Sequence, residues 1–289
     1  MSSSLCDAFS KASLDTWHRI QEGRALRYPL GEETLTDLFL RDLLRLHLPD
    51  ITIEAFTKDE EGRNGADWEW WFQGSSKNWL GLRVQAKVIA HDKDEFKHLH
   101  YYKNTEDKPP IRKYQCDKLI TEAAKDPEWP CVPVYCLYSY WTASYKVPPG
   151  YCCWGPRPSA SSFGCTIVPA NDVLKLRAAD STGRDHRNMV TDTLEYSLPL
   201  ACLVCCPFGP GTESVAERMH ALLDAMEALQ LGLDYLRPTP PPYVQQLTRE
   251  RRNQSAVRPG GNTNFRSDIQ LPPGLAGVVV IQQAPGKEA

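Results

Sequence analysis

Four polar residues between positions 33 and 87 have side chains suited to phosphodiester hydrolysis. Asp67 begins the segment DWEWWF, and Gln85 and Lys87 lie two residues apart in the apolar segment LGLRVQAKVIA. Residues two apart in a β-strand point to the same face, so Gln85 and Lys87 should project together. If the two segments pair as a hairpin around QGSSKN, Asp67 approaches them from the neighbouring strand. Glu33, in the first turn of a preceding helix, could reach the same edge.

The chemistry of phosphodiester hydrolysis accounts for this set of residue types. The reaction needs stabilisation of charge on the phosphoryl oxygens and an activated water. Mg²⁺, or Mn²⁺, prefers oxygen ligands, which the Asp67 carboxylate, the Gln85 amide and the Ala86 backbone carbonyl supply. Lys87 would hold the attacking water and offset the anionic transition state. Glu33 would bind the metal through water or bind a second metal.

The spacing of apolar residues predicts the elements that position these groups. A helical repeat indicates helices over 7–22 and 32–47, with Pro49 after the second. Short segments rich in aromatic and β-branched residues indicate strands. The predicted strands are 51–57, 66–72, 80–90, 132–140, 165–170 and 198–205, and the later helices are 111–125, 171–179 and 213–233. The order predicts an α/β fold with a mixed sheet flanked by helices.

The composition changes at Arg237. Eight of the 23 prolines lie at or after Pro238, and RPTPPPY favours an extended linker. We therefore predict one ordered domain over residues 1–236 and a Pro-rich, partly basic tail over 237–289. Within the tail, RERR either binds nucleic acid or is a basic linker. The apolar run at 275–282 either returns as an edge strand or is loosely held.

The pattern resembles a known group of nucleases. A helix glutamate (Glu33), then Gly-Ala-Asp67, then Val-Gln85-Ala-Lys87, resembles the PD-(D/E)XK superfamily of restriction-endonuclease-like proteins over roughly residues 31–125. With Gln in place of the acidic residue, it is similar to the Mrr-type restriction enzymes. In that superfamily the helix after the QxK strand packs beside the site and often lends a polar residue. Gln115 is the best match for that residue here, with Lys118 one turn further on.

The resemblance implies a fold and an activity. The fold would contain the α-β-β-β-α-β core of a restriction endonuclease. The activity would be Mg²⁺- or Mn²⁺-dependent hydrolysis of phosphodiester bonds by an endonuclease, with DNA a better expectation than RNA. Many members act as dimers, so a homodimer is compatible with the resemblance. A role in bacterial defence against phage is also an expectation that comes from the resemblance alone.

Other interpretations of the same residues compete with a nuclease site. Asp67 could be a turn residue, Lys87 a solvent-facing strand residue, and Glu33 a carboxylate favoured by the helix dipole. However, a central apolar strand rarely carries Gln and Lys on one face without a reason. A protein of another class, a nuclease-like domain that binds nucleic acid or a protein partner without cutting, is the main alternative.

Further polar and aromatic residues have alternative roles. Glu69 shares a face with Asp67 and is either an extra ligand or, as we favour, a solvated residue. A solvated loop explains the histidines better than a metal cluster does, and core packing explains the tryptophans better than base stacking does. Lysines near the histidines could contact phosphates. The histidines are His91, His98 and His100, the tryptophans are Trp68, Trp70 and Trp71, and the lysines are Lys93, Lys97 and Lys103.

The net charge, the length of the apolar segments and the cysteine content constrain the class of protein. A net charge of −3 means that nucleic-acid binding would need a local basic surface. No apolar stretch is long enough to span a membrane, and the first residues lack the pattern of a secretory signal, so we predict a cytoplasmic protein. Its ten cysteines should then be mostly free thiols. Cys202-x-x-Cys205 has zinc-ligand spacing, but its apolar surroundings favour a buried strand.

Overall fold

The computed structural model describes nine segments of the chain. They are residues 4–46, 51–57, 67–108, 111–147, 159–177, 187–205, 214–257, 271–272 and 274–283. For residues 51–57, 67 and 250–257 the description covers the backbone alone.

A seven-stranded mixed sheet forms the centre of the fold. Its strands are β1 (Ile51–Thr57), β2 (Asp67–Gln73), β3 (Trp79–Val88), β6 (Cys131–Tyr138), β7 (Cys165–Pro169), β8 (Leu198–Pro199) and β9 (Leu275–Gln283). Their order across the sheet is β1-β9-β2-β3-β6-β7-β8. β2 and β3 form an antiparallel hairpin, whereas β3 pairs with β6 in parallel. A separate hairpin joins β4 (Tyr102–Asn104) to β5 (Arg112–Tyr114).

Eight α-helices flank or connect these strands within the described segments. They are α1 (Leu5–Ala25), α2 (Glu32–Arg45), α3 (Gln115–Ala123), α4 (Ala170–Arg177), α5 (Val190–Leu194), α6 (Cys202–Cys205), α7 (Val215–Ala225) and α8 (Pro242–Val257). The predicted α/β class, with a mixed sheet flanked by helices, is confirmed. None of these helices is both long and apolar enough to cross a membrane.

Two adjacent tryptophans on β2 contribute to different hydrophobic cores. Trp70 joins the larger core, where it contacts Phe9 of α1 and Phe39 of α2. Trp71 joins a second core with Val244 of α8 and residues of β9. Successive strand residues face opposite sides of a sheet, so both faces of β2 are covered. The prediction that these two tryptophans are core residues is confirmed, and Trp68 packs partly buried against the larger core.

The C-terminal part of the chain belongs to the sheet. β9 pairs with β1 on one side and with β2 on the other, and Val278, Val279, Val280 and Ile281 are buried. The expectation of an edge or loosely held strand at 275–282 is therefore wrong. A run of four aliphatic residues has apolar side chains on both faces, which suits an interior strand. The ordered fold extends beyond the predicted end at residue 236, and RERR lies within α8.

Two other predicted elements differ from the structure. The predicted strand over 198–205 is strand only at Leu198–Pro199 and then becomes the short helix α6. The predicted helix over 213–233 ends at Ala225, because Glu227 adopts a left-handed conformation at φ 55°. There, the Glu227 N–H donates to Asp224 O at 2.8 Å and the Ala228 N–H to Leu223 O at 2.9 Å. These two bonds satisfy the last helical carbonyls and stop the helix.

Candidate functional site

Three polar side chains lie on one face of β3, the strand between β2 and β6. Arg83, Gln85 and Lys87 alternate along the strand and are only 4%, 1% and 4% exposed. Gln85 and Lys87 therefore lie on the same face of a central strand, as predicted. The competing interpretation of Lys87 as a solvent-facing residue is wrong. Buried polar groups need partners, so the neighbours of this row determine what it can do.

Gln115 is the partner of Gln85. It is the first residue of α3, and its Nε2 donates a hydrogen bond to Gln85 Oε1 at 2.5 Å. Gln85 Nε2 in turn donates to the Ala86 carbonyl oxygen at 3.2 Å. The structure thus brings together Gln85, Ala86 and Gln115, as expected for the helix after the QxK strand. The helix begins later than predicted, because residues 112–114 form β5.

Glu32 is the partner of Lys87. Lys87 Nζ donates to Glu32 Oε2 at 3.4 Å, and the Glu32 side chain is part-exposed. Glu33, which was predicted for this position, is exposed in the first turn of α2. Adjacent residues on a helix point about 100° apart, so only one of the two glutamates faces β3. Glu32, and not the predicted Glu33, therefore lies at this edge of the sheet. Glu33 lies in the first turn of α2, where the helix dipole stabilises a carboxylate.

The register of β2 and β3 sets where the Asp67 backbone lies. Trp68 is opposite Val84 and Glu69 is opposite Arg83. One step further along the two antiparallel strands are Asp67 and Gln85. The paired residues end at Trp68, and the register of β2 with β9 shifts between Asp67 and Trp68, so the approach of Asp67 to Gln85 stays a prediction. The side chain of Asp67 lies outside the described residues.

Glu69 is part of a buried network. Its carboxylate accepts from Arg83 Nη1 at 3.2 Å, from Trp71 Nε1 at 3.0 Å and, in a short contact, from the Tyr243 hydroxyl of α8. Burial and the neighbouring Glu69 charge raise the pKa of Tyr243 above its ordinary value. The favoured interpretation of Glu69 as a solvated residue is therefore wrong. Its Oε1 pairs with Arg83 of β3, and its Oε2 accepts from Trp71 of β2 and from Tyr243, which links α8 to the sheet.

Lys118 lies one turn beyond Gln115 and its side chain is exposed. A Cβ placed on Gly274 would lie 3.8 Å from Lys118 Nζ and 3.8 Å from Arg83 Nη2. Gly274 precedes β9 and has φ +83°, a conformation that favours glycine. Two basic groups thus lie close to the backbone turn that leads into β9, next to the β2 start that pairs with it.

The described side chains include no group of three or more His, Cys, Asp or Glu residues arranged to hold a metal ion. This absence does not concern the Asp67 side chain, the amide oxygens or the backbone carbonyls, which could also bind a metal ion. His100 is buried and its ring Nε2 lies 3.0 Å from the Arg187 carbonyl, so it is a packed residue and not part of the solvated loop.

The cysteine pair considered for zinc has another partner. Cys205 forms a disulfide with Cys6 of α1, and Cys202 is buried. Neither the predicted strand nor the zinc pair indicates this bond, and the five other described cysteines are free thiols. Cysteines 199 positions apart carry no local signal that they will meet.

Two features of the site were not found from the sequence. Glu32 and Glu33 are adjacent acidic residues, and local spacing does not choose between them. The β4–β5 hairpin leads directly into Gln115, and no strand is predicted there from the sequence. The alternation of tyrosine and lysine in YYKN and RKY was the available signal for it.

These observations define an α/β protein with a buried polar cluster where two helices meet a central strand. Over residues 5–286 the chain matches the model of a family described as a family of unknown function (DUF6615), and it belongs to that family. No curated protein and no solved structure matches it.

Proposed function

We propose that this protein is a metal-dependent nuclease that hydrolyses phosphodiester bonds, with DNA as the preferred substrate. One observation carries the proposal: Gln85 and Lys87 are buried on one face of central β3, and α3 and α2 bring Gln115 and Glu32 to them. Two helices thus supply polar side chains to the QxK strand. The QxK motif alone does not contain this feature, so it gives additional support to the resemblance to the QxK nucleases.

The donor set suits Mg²⁺ or Mn²⁺. Asp67, Gln85 Oε1, the Ala86 carbonyl and Glu32, in place of Glu33, are oxygen donors, which hard cations prefer. When bound, the metal would supply charge stabilisation to the phosphoryl oxygens. Lys87 would hold the attacking water with its ammonium group, and Glu32 would orient that ammonium. Gln115 would orient the Gln85 amide, and Lys118 would add positive charge at the edge of the site.

Cleavage assays test this proposal. Purified protein should be incubated with linear, circular and single-stranded DNA and with RNA, with Mg²⁺, with Mn²⁺ or with a chelator. We expect metal-dependent cleavage that falls by roughly 10²–10⁴-fold in Lys87→Ala, because a positioned proton-transfer or water-holding group contributes about that much.

Two matched glutamate variants refine the test. Glu32→Gln should reduce cleavage more than Glu33→Gln, since only Glu32 contacts Lys87. Equal effects of the two substitutions would contradict the role of Glu32. Full activity of Lys87→Ala would contradict the site as a whole.

A domain that binds nucleic acid or a protein without cutting is the second candidate. The observation that favours it is burial: Gln85 and Lys87 are almost inaccessible and already have protein partners. This function predicts no cleavage of any substrate, with equal binding by the wild type and Lys87→Ala.

A cytoplasmic location, predicted from the sequence, and a homodimer and a role in anti-phage defence, implied by the resemblance, are parts of the same proposal. The oligomeric state is measurable by light scattering on the purified protein. A monomer at assay concentration that still cuts DNA would remove the dimer from the proposal.

A further inference from the structure

The β4–β5 hairpin stands apart from the main sheet and leads directly into α3. Its register places Tyr102 opposite Tyr114, Lys103 opposite Lys113 and Asn104 opposite Arg112. Side chains alternate between the two faces of a hairpin. Tyrosines and Arg112 therefore share one face, and the two lysines share the other.

The tyrosine face attaches the hairpin to the body of the protein. The Tyr102 and Tyr114 rings lie 5.3 Å apart, and the Arg112 guanidinium lies 4.7 Å from the Tyr102 ring centroid. Arg177 of α4 lies 4.1 Å from the centroid of Tyr114. Arg177 also pairs with Asp117 of α3 at 2.9 Å. These contacts explain the residues of this face without any ligand.

The lysine face has no such explanation. Lys103 and Lys113 are both exposed and directly opposite each other, and like charges in this arrangement destabilise a hairpin. Within the described part of the chain, neither lysine forms an ion pair; the acidic Glu106 and Asp107 lie in the connecting loop and are exposed. A charge pattern that costs stability in the free protein is suited to a polyanion that neutralises both lysines.

The hairpin adjoins the candidate site. β5 ends at Tyr114, and the next residue, Gln115, contacts Gln85 and also donates its backbone N–H to the Tyr101 carbonyl at 2.9 Å. Tyr101 is 42% exposed and Ile111 is 61% exposed. An exposed aromatic residue beside basic residues combines base stacking with phosphate binding. With a net charge of −3 overall, this is the kind of local basic surface that nucleic-acid binding requires.

We propose that the β4–β5 hairpin is a nucleic-acid-binding arm in which Lys103 and Lys113 contact the phosphodiester backbone. The binding is a property of the hairpin itself; that the arm delivers the bound strand to Gln85 and Lys87 rests on the proposed nuclease function. Lys118 is also exposed, on α3, the helix that begins directly after β5.

Fluorescence anisotropy on the full chain, in chelator so that no cleavage occurs, tests the arm. The probes are labelled single-stranded and duplex DNA oligonucleotides titrated at several salt concentrations. Lys103→Ala/Lys113→Ala should weaken binding by roughly tenfold and reduce the slope of log K against log salt by about 1.4 for single strands. Lys11→Ala/Lys125→Ala is the matched control, because it also removes two exposed lysine charges but lies elsewhere.

Lys103→Glu separates binding from folding. The new carboxylate would face Lys113 across the hairpin and convert a repulsive pair into an attractive one. We expect its melting temperature to equal or exceed that of the wild type, while DNA binding falls at least as far as in the double alanine variant. Weaker binding accompanied by a lower melting temperature would overturn the proposal.

The outcomes distinguish this inference from the proposed nuclease. Unchanged affinity and salt slope in the double alanine variant overturn the arm, whether or not the wild type cuts DNA. Absence of binding by the wild type to either probe also overturns it. Binding that depends on the lysines supports the arm. If the separate cleavage assay with Mg²⁺ or Mn²⁺ then shows no cutting, the nuclease proposal fails on its own.

Discussion

Two buried ion pairs on β3 have different surroundings. Arg83 pairs with Glu69 at 3.2 Å, and both side chains are almost fully enclosed. Lys87 pairs with Glu32 at 3.4 Å, but the Glu32 side chain is 24% exposed. The second pair is therefore much more accessible to solvent than the first. The Arg83–Glu69 pair therefore acts as part of the core, whereas Glu32 and Lys87 could exchange partners with a ligand.

The Glu69 network should be important for stability. Glu69→Gln leaves the buried Arg83 charge without its carboxylate, so we expect the free energy of unfolding to fall by about 3–5 kcal/mol. Tyr243→Phe removes one hydrogen bond to the same carboxylate and should cost about 1–3 kcal/mol. Urea denaturation followed by circular dichroism measures both.

An exposed pair provides the comparison for this prediction. Lys125 and Glu122 form an i,i+3 pair with a largely exposed lysine, and Glu122→Gln should change stability by no more than about 0.5 kcal/mol. If Glu69→Gln were as mild as Glu122→Gln, the buried network would have no special role in the fold.

β9 completes the sheet from the far end of the chain. It is antiparallel to β1 and parallel to β2, so it supplies hydrogen-bond partners to both strands. α8 adds Val244 and Leu247 to the core that β9 forms with Trp71. Because β2 carries Asp67 and pairs with β3, the C-terminal segment supports the candidate site as well as the core.

Truncation tests the contribution of this segment. A chain ending at Leu236 lacks α8 and β9 and leaves the facing edges of β1 and β2 unpaired. We expect it to aggregate or to lack a cooperative thermal transition. A chain ending at Gln283 keeps every described element and should melt like the full-length protein. Size-exclusion chromatography and thermal denaturation compare the two, and a well-folded 1–236 fragment would contradict this prediction.

A disulfide connects distant parts of the whole molecule. Cys6, at the start of α1, is bonded to Cys205, at the end of α6, across 199 positions. The free cysteines of the described chain are buried, and burial raises the pKa of the Cys116 and Cys165 thiols to about 12. Those thiols remain protonated at neutral pH, which makes them poor nucleophiles.

The disulfide should make stability depend on redox conditions. By the loop-entropy relation, a crosslink over 199 positions stabilises the folded state by at most about 5 kcal/mol. We expect Cys6→Ser to lower the melting temperature without reductant, and dithiothreitol to lower that of the wild type to a similar value. Reductant should not shift the variant further. An identical melting temperature for the wild type with and without reductant would show that the bond does not stabilise the fold.

The sequence by itself determined the features that depend on neighbouring residues. Period-two alternation placed Gln85 and Lys87 on one face, and the short polar turn paired β2 with β3. These are local properties, because strand geometry and a hairpin turn are set within a few residues. The α/β class follows from the same repeats.

Only the tertiary structure decided the features that depend on distant residues. It selected Glu32 over Glu33, buried Glu69 against Tyr243, and joined Cys6 to Cys205. It also inserted β9 between β1 and β2. The partners in these contacts are 55 to 199 positions apart for the side-chain pairs. Local periodicity contains no information on which distant surfaces meet, since packing of the whole chain selects among many compatible pairings.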